Sequence, residues 1–369
     1  MSGRTPAATA ARRAALALAL VLLVCVNRPA AIGPQQAFDV VITNGRVLDG
    51  SGNPWRRADI GIRGDRIAVV APAGSLAGST AALVVDARDR VVAPGFIDAH
   101  SHALDALTRG PLRDARGLVA QGVTTVIGNP DGGGPTDLAA QRAALEADGG
   151  IGVNAALLIG HAGVRRDVIG GGNRQPTADE LARMRAIVGT AVRDGAFGLS
   201  SGLFYTPGRY AKADEVIALA REAGGVYASH VRDEGNYDVG VVASVEEVIA
   251  VAEGANVRGV ITHIKALGPD SWGLSRAIVD RIDAARARGV EVYADQYPYE
   301  ASSTSLAAAV MPGESAASAT EAMSGVESRR VFLETAKRVI QADGVVDPAE
   351  VEALSLFRAL LQSAPRTEH

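Results

Sequence analysis

The feature that most constrains this chain is a change of rhythm at Pro94. From there on, short apolar runs alternate with amphipathic stretches, and nearly every apolar run ends in polar residues. This alternation is typical of βα units, in which helices cover a sheet of parallel strands. Because barrel enzymes build their sites at the carboxyl ends of such strands, the pattern favours a (β/α)8-type barrel over an open doubly wound sheet.

Seven strand-like runs can be placed in residues 94–312, and no eighth run that would close a barrel is evident. The predicted strands are GFIDAHSH, GVTTVIGN, GVNAALLIGHAG, AFGLSSGL, GVYASHVRDE, GVITHIKALG and VEVYADQYPY. Amphipathic helices are predicted at residues 178–194, 212–223, 244–253 and 275–288. The expected fold class is therefore α/β, with an incomplete barrel of seven βα units.

Further domains and segments are predicted before and after residues 94–312. Residues 38–93 predict a small β-sandwich-like domain, with hairpins at Asn44-Gly45, at Gly64-Asp65 and within LVVDARDRVVAPG. Residues 313–328 are rich in Ala, Ser and Gly and indicate a linker. Residues 329–363 predict a pair of helices, and an exposed apolar face on the second helix would suit a protein partner.

The first 31 residues predict a signal peptide. Arg12 and Arg13 precede an apolar run at residues 14–26, which is short for a membrane span, and small residues follow it. We expect cleavage near Ala31 and a periplasmic or secreted protein that leaves the membrane, with a retained N-terminal anchor as the alternative. The single cysteine, Cys25, lies in this segment, so the mature chain would have no disulfide.

The overall charge argues against a nucleic-acid partner. The net charge is −4, and aromatic residues make up only 4% of the chain. Nucleic-acid binding requires a basic surface and commonly uses stacking aromatic residues.

The histidines indicate where the chemistry lies. Apart from the C-terminal His369, all of them fall at predicted strand ends: His100, His102, His161, His230 and His263. His100 and His102 are two residues apart on a strand, so both imidazoles point to one face and can reach one cation. Imidazole nitrogen suits zinc, which activates water for hydrolysis when one coordination position stays open.

Several motifs together resemble the N-acyl-D-amino-acid deacylase branch, or D-aminoacylases, of the amidohydrolase superfamily. They are PGFIDAHSH, QGVTTVIGN, GHAGVRRDVIG, SSGLFYTPGRYA, YASHVRDEG, ITHIKALG and DQYPYEAS. The resemblance covers residues 38–312. The resemblance implies one or two zinc ions held by His100, His102, His230 and His263. It also implies that Tyr205 and Lys265 contact the carboxylate of the substrate.

The resemblance leaves the roles of three further residues open. Arg232 is a third candidate for substrate binding. It and Glu234 could instead orient His230, or pair with each other at the surface. His161 matches a motif of the family, and we expect it to support the site through hydrogen bonds rather than to bind metal.

The chain departs from the family pattern at two places. Members of the family carry a metal-binding cysteine after the second strand, where this chain has Pro130. We hypothesise that Asp131 replaces that ligand, and the alternative is a simple turn residue in Pro-Asp-Gly. Members also carry an aspartate on the eighth strand as general base, but the resemblance ends near residue 312, so the base is unassigned.

The expected reaction is zinc-dependent hydrolysis of the amide bond of N-acyl-D-amino acids, with activity impaired by the missing aspartate. Alternatives are a catalytically inactive metal-binding remnant, an interaction or scaffold protein, and a cyclic amide hydrolase of the dihydroorotase or hydantoinase kind.

The predicted signal peptide can be tested directly. The chain expressed in a bacterium with a secretory pathway should be recovered outside the cytoplasm, with a mature N-terminus close to residue 32. N-terminal sequencing of the recovered protein measures this. Recovery with Met1 intact in the membrane fraction would favour the retained anchor.

Overall fold

The computed structural model describes residues 37–299 and 301–304. The predicted signal peptide, the linker at 313–328 and the helical pair at 329–363 lie outside these residues. Internal contacts divide the chain into two units, residues 1–94 and residues 95–369.

The described part of the first unit is one sheet built around its longest strand. The strands are β1 (Phe38–Val47), β2 (Arg56–Arg63), β3 (Arg66–Pro72), β4 (Ala81–Asp86) and β5 (Val91–Val92). Their order is β3-β2-β1-β4, and β5 also pairs with β1. Strands β2 and β3 form the antiparallel hairpin predicted at Gly64-Asp65.

The other two predicted hairpins are wrong. Asn44 and Gly45 lie within β1, where the register against β2 shifts between Ile42 and Gly45, so they form a bulge instead of a turn. Asn44 has a φ of 61° and its amide donates to Asp59 Oδ1 at 2.9 Å. Strands β4 and β5 both pair in parallel with β1, β4 with residues 38–43 and β5 with residues 46–47. The two strands therefore run in the same direction, and the chain between them forms no hairpin.

The second unit alternates strands with helices. Its strands are β6 (Phe96–Asp98), β7 (Val123–Gly128), β8 (Asn154–Leu157), β9 (Ile159–Gly160), β10 (Gly198–Gly202), β11 (Val226–His230), β12 (Arg258–Ile261) and β13 (Val292–Ala294). Its α-helices are α1 (Leu104–Leu107), α2 (Arg116–Val119), α3 (Leu138–Glu146), α4 (His161–Ile169), α5 (Ala178–Arg193), α6 (Ala213–Ala223), α7 (Val241–Ala255) and α8 (Ser275–Ala287).

Neighbouring strands of this unit are consecutive in the chain and parallel. The described strands form a three-stranded sheet, β6-β7-β8, and a five-stranded sheet, β13-β12-β11-β10-β9. Only Leu158 separates β8 from β9, and its amide donates to the carbonyl of Gly128 at the end of β7. The consecutive parallel order confirms the α/β prediction and gathers the carboxyl ends of the strands at one side.

The long helices form where the sequence predicts them, within three residues at each end. Helix α5 begins at Thr177, whose hydroxyl accepts from the amide of Glu180 while the Glu180 carboxylate accepts from the amide of Thr177. This capping box satisfies two amides that the helix itself cannot. On the inner face, Met184 and Val188 are fully buried. None of the described helices has the length and apolarity needed to cross a membrane.

The core beneath α5 should be sensitive to the loss of volume. Met184→Ala is expected to lower the free energy of unfolding by about 2–5 kcal/mol, because it removes a fully buried side chain and leaves a cavity. Denaturant titration followed by circular dichroism measures the change. Arg183→Ala, at an exposed position on the same helix, is the matched control and should shift it by less than about 0.5 kcal/mol. Equal effects of the two variants would contradict this packing.

Candidate metal centre

Residues that follow four different strands of the second unit meet in one place. His100 and His102 follow β6, Asp131 lies in the loop after β7, His230 is the last residue of β11, and His263 follows β12 by two residues. Parallel strands bring these carboxyl ends together. The structure thus assembles four of the five histidines that the sequence places at predicted strand ends, namely His100, His102, His230 and His263.

Asp131 lies at the centre of the group. Its Oδ1 is 3.5 Å from His100 Nε2 and 3.5 Å from His263 Nε2, and its Oδ2 is 3.3 Å from His102 Nε2. His230 Nδ1 is 3.8 Å from Oδ1 of the same carboxylate.

Two sets of three residues have the geometry of a metal site, and Asp131 belongs to both. One set is His100, His102 and Asp131, and the other is Asp131, His230 and His263. Within each set the candidate ligand atoms lie within 4.8 Å of one another. A carboxylate has two oxygens, so one residue can serve both sets.

The hydrogen bonding within these sets fits a metal. Among the described residues, both ring nitrogens of His100, both ring nitrogens of His230 and Oδ1 of Asp131 are buried and make no hydrogen bond. Buried polar atoms normally have a partner, because an unsatisfied one costs free energy. Nitrogen and carboxylate oxygen are both ordinary zinc ligands, so the donors suit that ion.

The pKa values of His230 and Asp131 favour metal binding by these two residues. Burial lowers the pKa of His230 to about 4, so its imidazole is neutral and keeps a lone pair at neutral pH. Burial raises the pKa of the Asp131 carboxyl, but the contacts with His100, His102 and His263 outweigh it and hold that pKa far below its usual value. The carboxylate is therefore ionised.

His102 and His263 are the exceptions. The contact with Asp131 raises the pKa of His102 against the effect of burial. At His263, burial lowers the pKa, but the contacts with Asp131 and Glu234 prevail and raise it to about 9. A metal ligand must have a free lone pair, so metal binding at His263 would have to displace a proton.

The loop that carries Asp131 is held from both sides. The Ser200 hydroxyl donates to the carbonyl of Asn129 at 2.5 Å and accepts from the amide of Gly132 at 3.2 Å. The carbonyl of Gly132 accepts from the amide of Ala162, in the first turn of α4, at 3.0 Å. Asp131 has a φ of 57°, so the turn that Pro-Asp-Gly predicts does form, and it points the carboxylate at the histidines.

Both residues expected to contact a substrate carboxylate line the same cavity as the histidines. Lys265 Nζ donates to Glu234 Oε1 and lies 2.8 Å from His263 Nδ1. The Tyr205 hydroxyl is 3.2 Å from Thr304 Oγ1. Burial raises the pKa of Tyr205 to about 12, so the phenol keeps its proton and can donate a hydrogen bond.

Arg232 does not join these residues. Its guanidinium pairs with Glu247 through Nε at 2.9 Å and Nη2 at 2.7 Å, and donates to the carbonyls of Arg209 and Ala211. The alternative in which Arg232 pairs with Glu234 is wrong, because Glu247 on α7 takes that place. Its donors are committed to holding a loop, so substrate binding by Arg232 has no support in the geometry.

His161 forms a buried hydrogen bond with a residue that does not line the cavity. It is fully buried at the start of α4, and its Nε2 lies 2.8 Å from Glu215 Oε1. The other oxygen of Glu215 accepts from Arg165. His161 is in neither set of candidate ligands among the described residues.

Asp295 is a site residue that the sequence reasoning missed. It follows β13, lines the cavity, and accepts a hydrogen bond from the backbone amide of His263 at 2.5 Å. The signal was present in the sequence, since Asp295 is a carboxylate at the end of a predicted strand, as the histidines are.

The fold and this site have the form of an amidohydrolase. The family model described as "Amidohydrolase family" matches residues 83–354, and the chain belongs to that family. The match continues past residue 312, where we expected the resemblance to end.

Two individual relatives show which branch of the family the chain resembles. The chain is 38% identical to a D-aminoacylase of Alcaligenes xylosoxydans xylosoxydans over 299 residues, which cover 73% of this chain and 59% of the relative. It is 39% identical to an N-acyl-D-glutamate deacylase of the same organism over 297 residues, covering 74% and 59%. These relatives confirm the resemblance to D-aminoacylases, although the chain spans only about 59% of their length.

A solved structure shows the same likeness in three dimensions. The N-acyl-D-glutamate deacylase of Bordetella bronchiseptica, complexed with zinc and a phosphonate inhibitor that mimics the tetrahedral intermediate, superposes with a TM-score of 0.66. It is 38% identical, and the superposition covers 72% of this chain and 59% of that one.

The position of Asp131 generates a test of the ligand hypothesis. Asp131→Ala should lower the number of zinc ions bound per chain, or weaken binding by at least about tenfold, because both candidate sets lose a shared donor. Elemental analysis after dialysis against buffered zinc measures the stoichiometry. Asp179→Ala, at an exposed position on α5, is the control and should bind as the wild type does. Unchanged stoichiometry and affinity in Asp131→Ala would mean that Asp131 is only a turn residue.

Proposed function

We propose that this chain is a zinc-dependent hydrolase that cleaves the amide bond of N-acyl-D-amino acids. The observation that carries the proposal is the convergence of four histidines and Asp131 at the carboxyl ends of parallel strands. Membership of the amidohydrolase family and the likeness to D-aminoacylases supply the reaction class. The predicted signal peptide supports action in the periplasm or outside the cell.

The donor set supports one or two zinc ions. His230 and His263 would hold one ion, His100 and His102 a second, and Asp131 would contribute to both. When bound, zinc polarises a carbonyl and lowers the pKa of a water molecule. The chain contributes the positions of the donors: His230 ends β11, and hydrogen bonds hold the amides of His100 and His263 and the loop around Asp131.

Lys265 and Tyr205 are the proposed ligands of the substrate carboxylate. An N-acyl amino acid keeps its α-carboxylate, which a lysine ammonium and a phenol can both bind. Glu234 already pairs with Lys265, so a substrate carboxylate has to compete with Glu234 or share the ammonium with it. This competition makes the affinity for the carboxylate depend on where Glu234 lies.

The identity of the general base determines how active the chain is. The carboxylates that line the cavity are Asp98, Asp131, Glu234 and Asp295. Asp131 and Glu234 are engaged by histidines or by Lys265. Loss of a general base typically costs about 100- to 10,000-fold in rate, so we propose that activity is impaired to that degree if none of these groups substitutes.

The test uses the full chain loaded with zinc. We expect it to release acetate and D-methionine from N-acetyl-D-methionine and to leave the L enantiomer intact. His230→Ala should reduce the rate by at least about 100-fold and lower the zinc content, because it removes a buried ligand. Arg183→Ala serves as the unaffected control for both measurements.

Each alternative function corresponds to a different result of this assay. Zinc binding without hydrolysis would indicate an inactive metal-binding protein. Hydrolysis of dihydrouracil or hydantoin, but of no N-acyl amino acid, would indicate a cyclic amide hydrolase. A chain that neither binds zinc nor hydrolyses an amide would overturn the proposal and favour a scaffold role.

A further inference from the structure

Asp295 holds the backbone of His263 from the neighbouring strand. We propose that Asp295 is a positioning residue that fixes the main chain at His263 and thereby aims its imidazole at Asp131. The proposal deepens the proposed function and rests on it in one respect, since it takes His263 to be a metal ligand.

Three hydrogen bonds join Asp295 to the segment around His263. The Asp295 side chain accepts from the amide of His263 at 2.5 Å. The Asp295 carbonyl accepts from the amide of Ile264 at 2.9 Å, and the Asp295 amide donates to the carbonyl of Ile261 at 3.2 Å. The two main-chain bonds extend the parallel pairing of β12 with β13, in which Ile261 lies opposite Ala294. The side-chain bond is an addition to that ladder.

The side-chain bond occurs where the backbone requires support. His263 has a φ of +37°, in the left-handed region that residues other than glycine seldom adopt. Such a conformation persists only where the surrounding structure imposes it. The carboxylate of Asp295 binds the amide of this very residue, so it is the contact best placed to impose it.

The direction of the imidazole depends on that conformation. His263 Nε2 lies 3.5 Å from Asp131 Oδ1, and its Nδ1 lies 3.0 Å from Glu234 Oε1. Its ring centroid is 4.5 Å from that of His230 and 4.8 Å from that of His100. With so many close neighbours, a change of φ at His263 would break several contacts together.

A similar arrangement occurs in the other candidate set. Asp98, at the end of β6, accepts from the amide of His100 at 3.1 Å. Each set therefore includes one histidine whose amide is bound by an aspartate at a strand end. The difference is that Asp98 is two residues from His100 in the chain, whereas Asp295 reaches His263 from the next strand.

Only one oxygen of Asp295 carries out this role. Its Oδ2 is buried and makes no hydrogen bond among the described residues. The positioning role needs a single acceptor, so asparagine, which retains one carbonyl oxygen, should preserve it. Alanine should abolish it.

The experiment compares Asp295→Ala and Asp295→Asn in the full chain by two measurements. Hydrogen exchange of the peptide around His263, with zinc removed, should show faster exchange of that amide in Asp295→Ala and near wild-type exchange in Asp295→Asn. Zinc affinity should fall by about 10- to 100-fold in Asp295→Ala and recover in Asp295→Asn. Asp280→Ala, exposed on α8, is the matched control and should change neither.

Asp98→Ala provides a second comparison. It should speed exchange near His100 and leave the amide of His263 protected, which a general loss of stability would not do. If Asp295→Ala does not fold, Asp295→Ser takes its place, because serine is polar but its oxygen is one bond closer to the backbone.

Two results would overturn the proposal. One is full protection of the His263 amide in Asp295→Ala, and the other is an unchanged zinc affinity despite faster exchange. If the wild type itself binds no zinc, the proposed function fails, while the exchange measurement still decides whether Asp295 holds the backbone of His263.

Discussion

The grouping of one largely buried carboxylate, that of Asp131, with four imidazoles organises the site of this protein. The Asp131 side chain is only 15% exposed, and a carboxylate in that position is costly unless positive or hydrogen-bonding groups surround it. The histidines supply those groups, and they come from three other strand ends. The pKa values of Asp131, His102 and His263 all depend on this grouping. The proposed metal would add a stronger positive charge at the same place.

The fold positions the carboxylate by ordinary hydrogen bonds. Ser200 on β10 and the first turn of α4 bind the loop on both sides of Asp131. Arg232, which belongs to the same strand–loop region as His230, binds Glu247 and two carbonyls instead of facing the cavity. Charged residues near the site therefore divide into those that line the cavity and those that hold its walls.

Local patterns predicted the helices and the strand ends well. Thr177 and Glu180 mark the start of α5 by a capping box that is visible in the sequence, and histidines at the ends of apolar runs meet because parallel strands gather them. The failures involve choices that local sequence leaves open. Asn44-Gly45 suits both a turn and a bulge, since both accept a positive φ. The partner of Arg232 and the contact of Asp295 with His263 depend on packing between separate elements.

Under the hypothesis that Asp131 takes the place of the family's metal-binding cysteine, the change from a thiolate to a carboxylate would have a chemical consequence. Cys25 is the only cysteine of the chain, so the donors gathered around Asp131 are nitrogen and oxygen atoms alone. Cysteine ligands are converted by peroxide to sulfenic and sulfinic acids and can be captured as disulfides, whereas a carboxylate undergoes neither reaction. A centre built in this way keeps its inner donors under oxidative stress without any repair by thiol reductants.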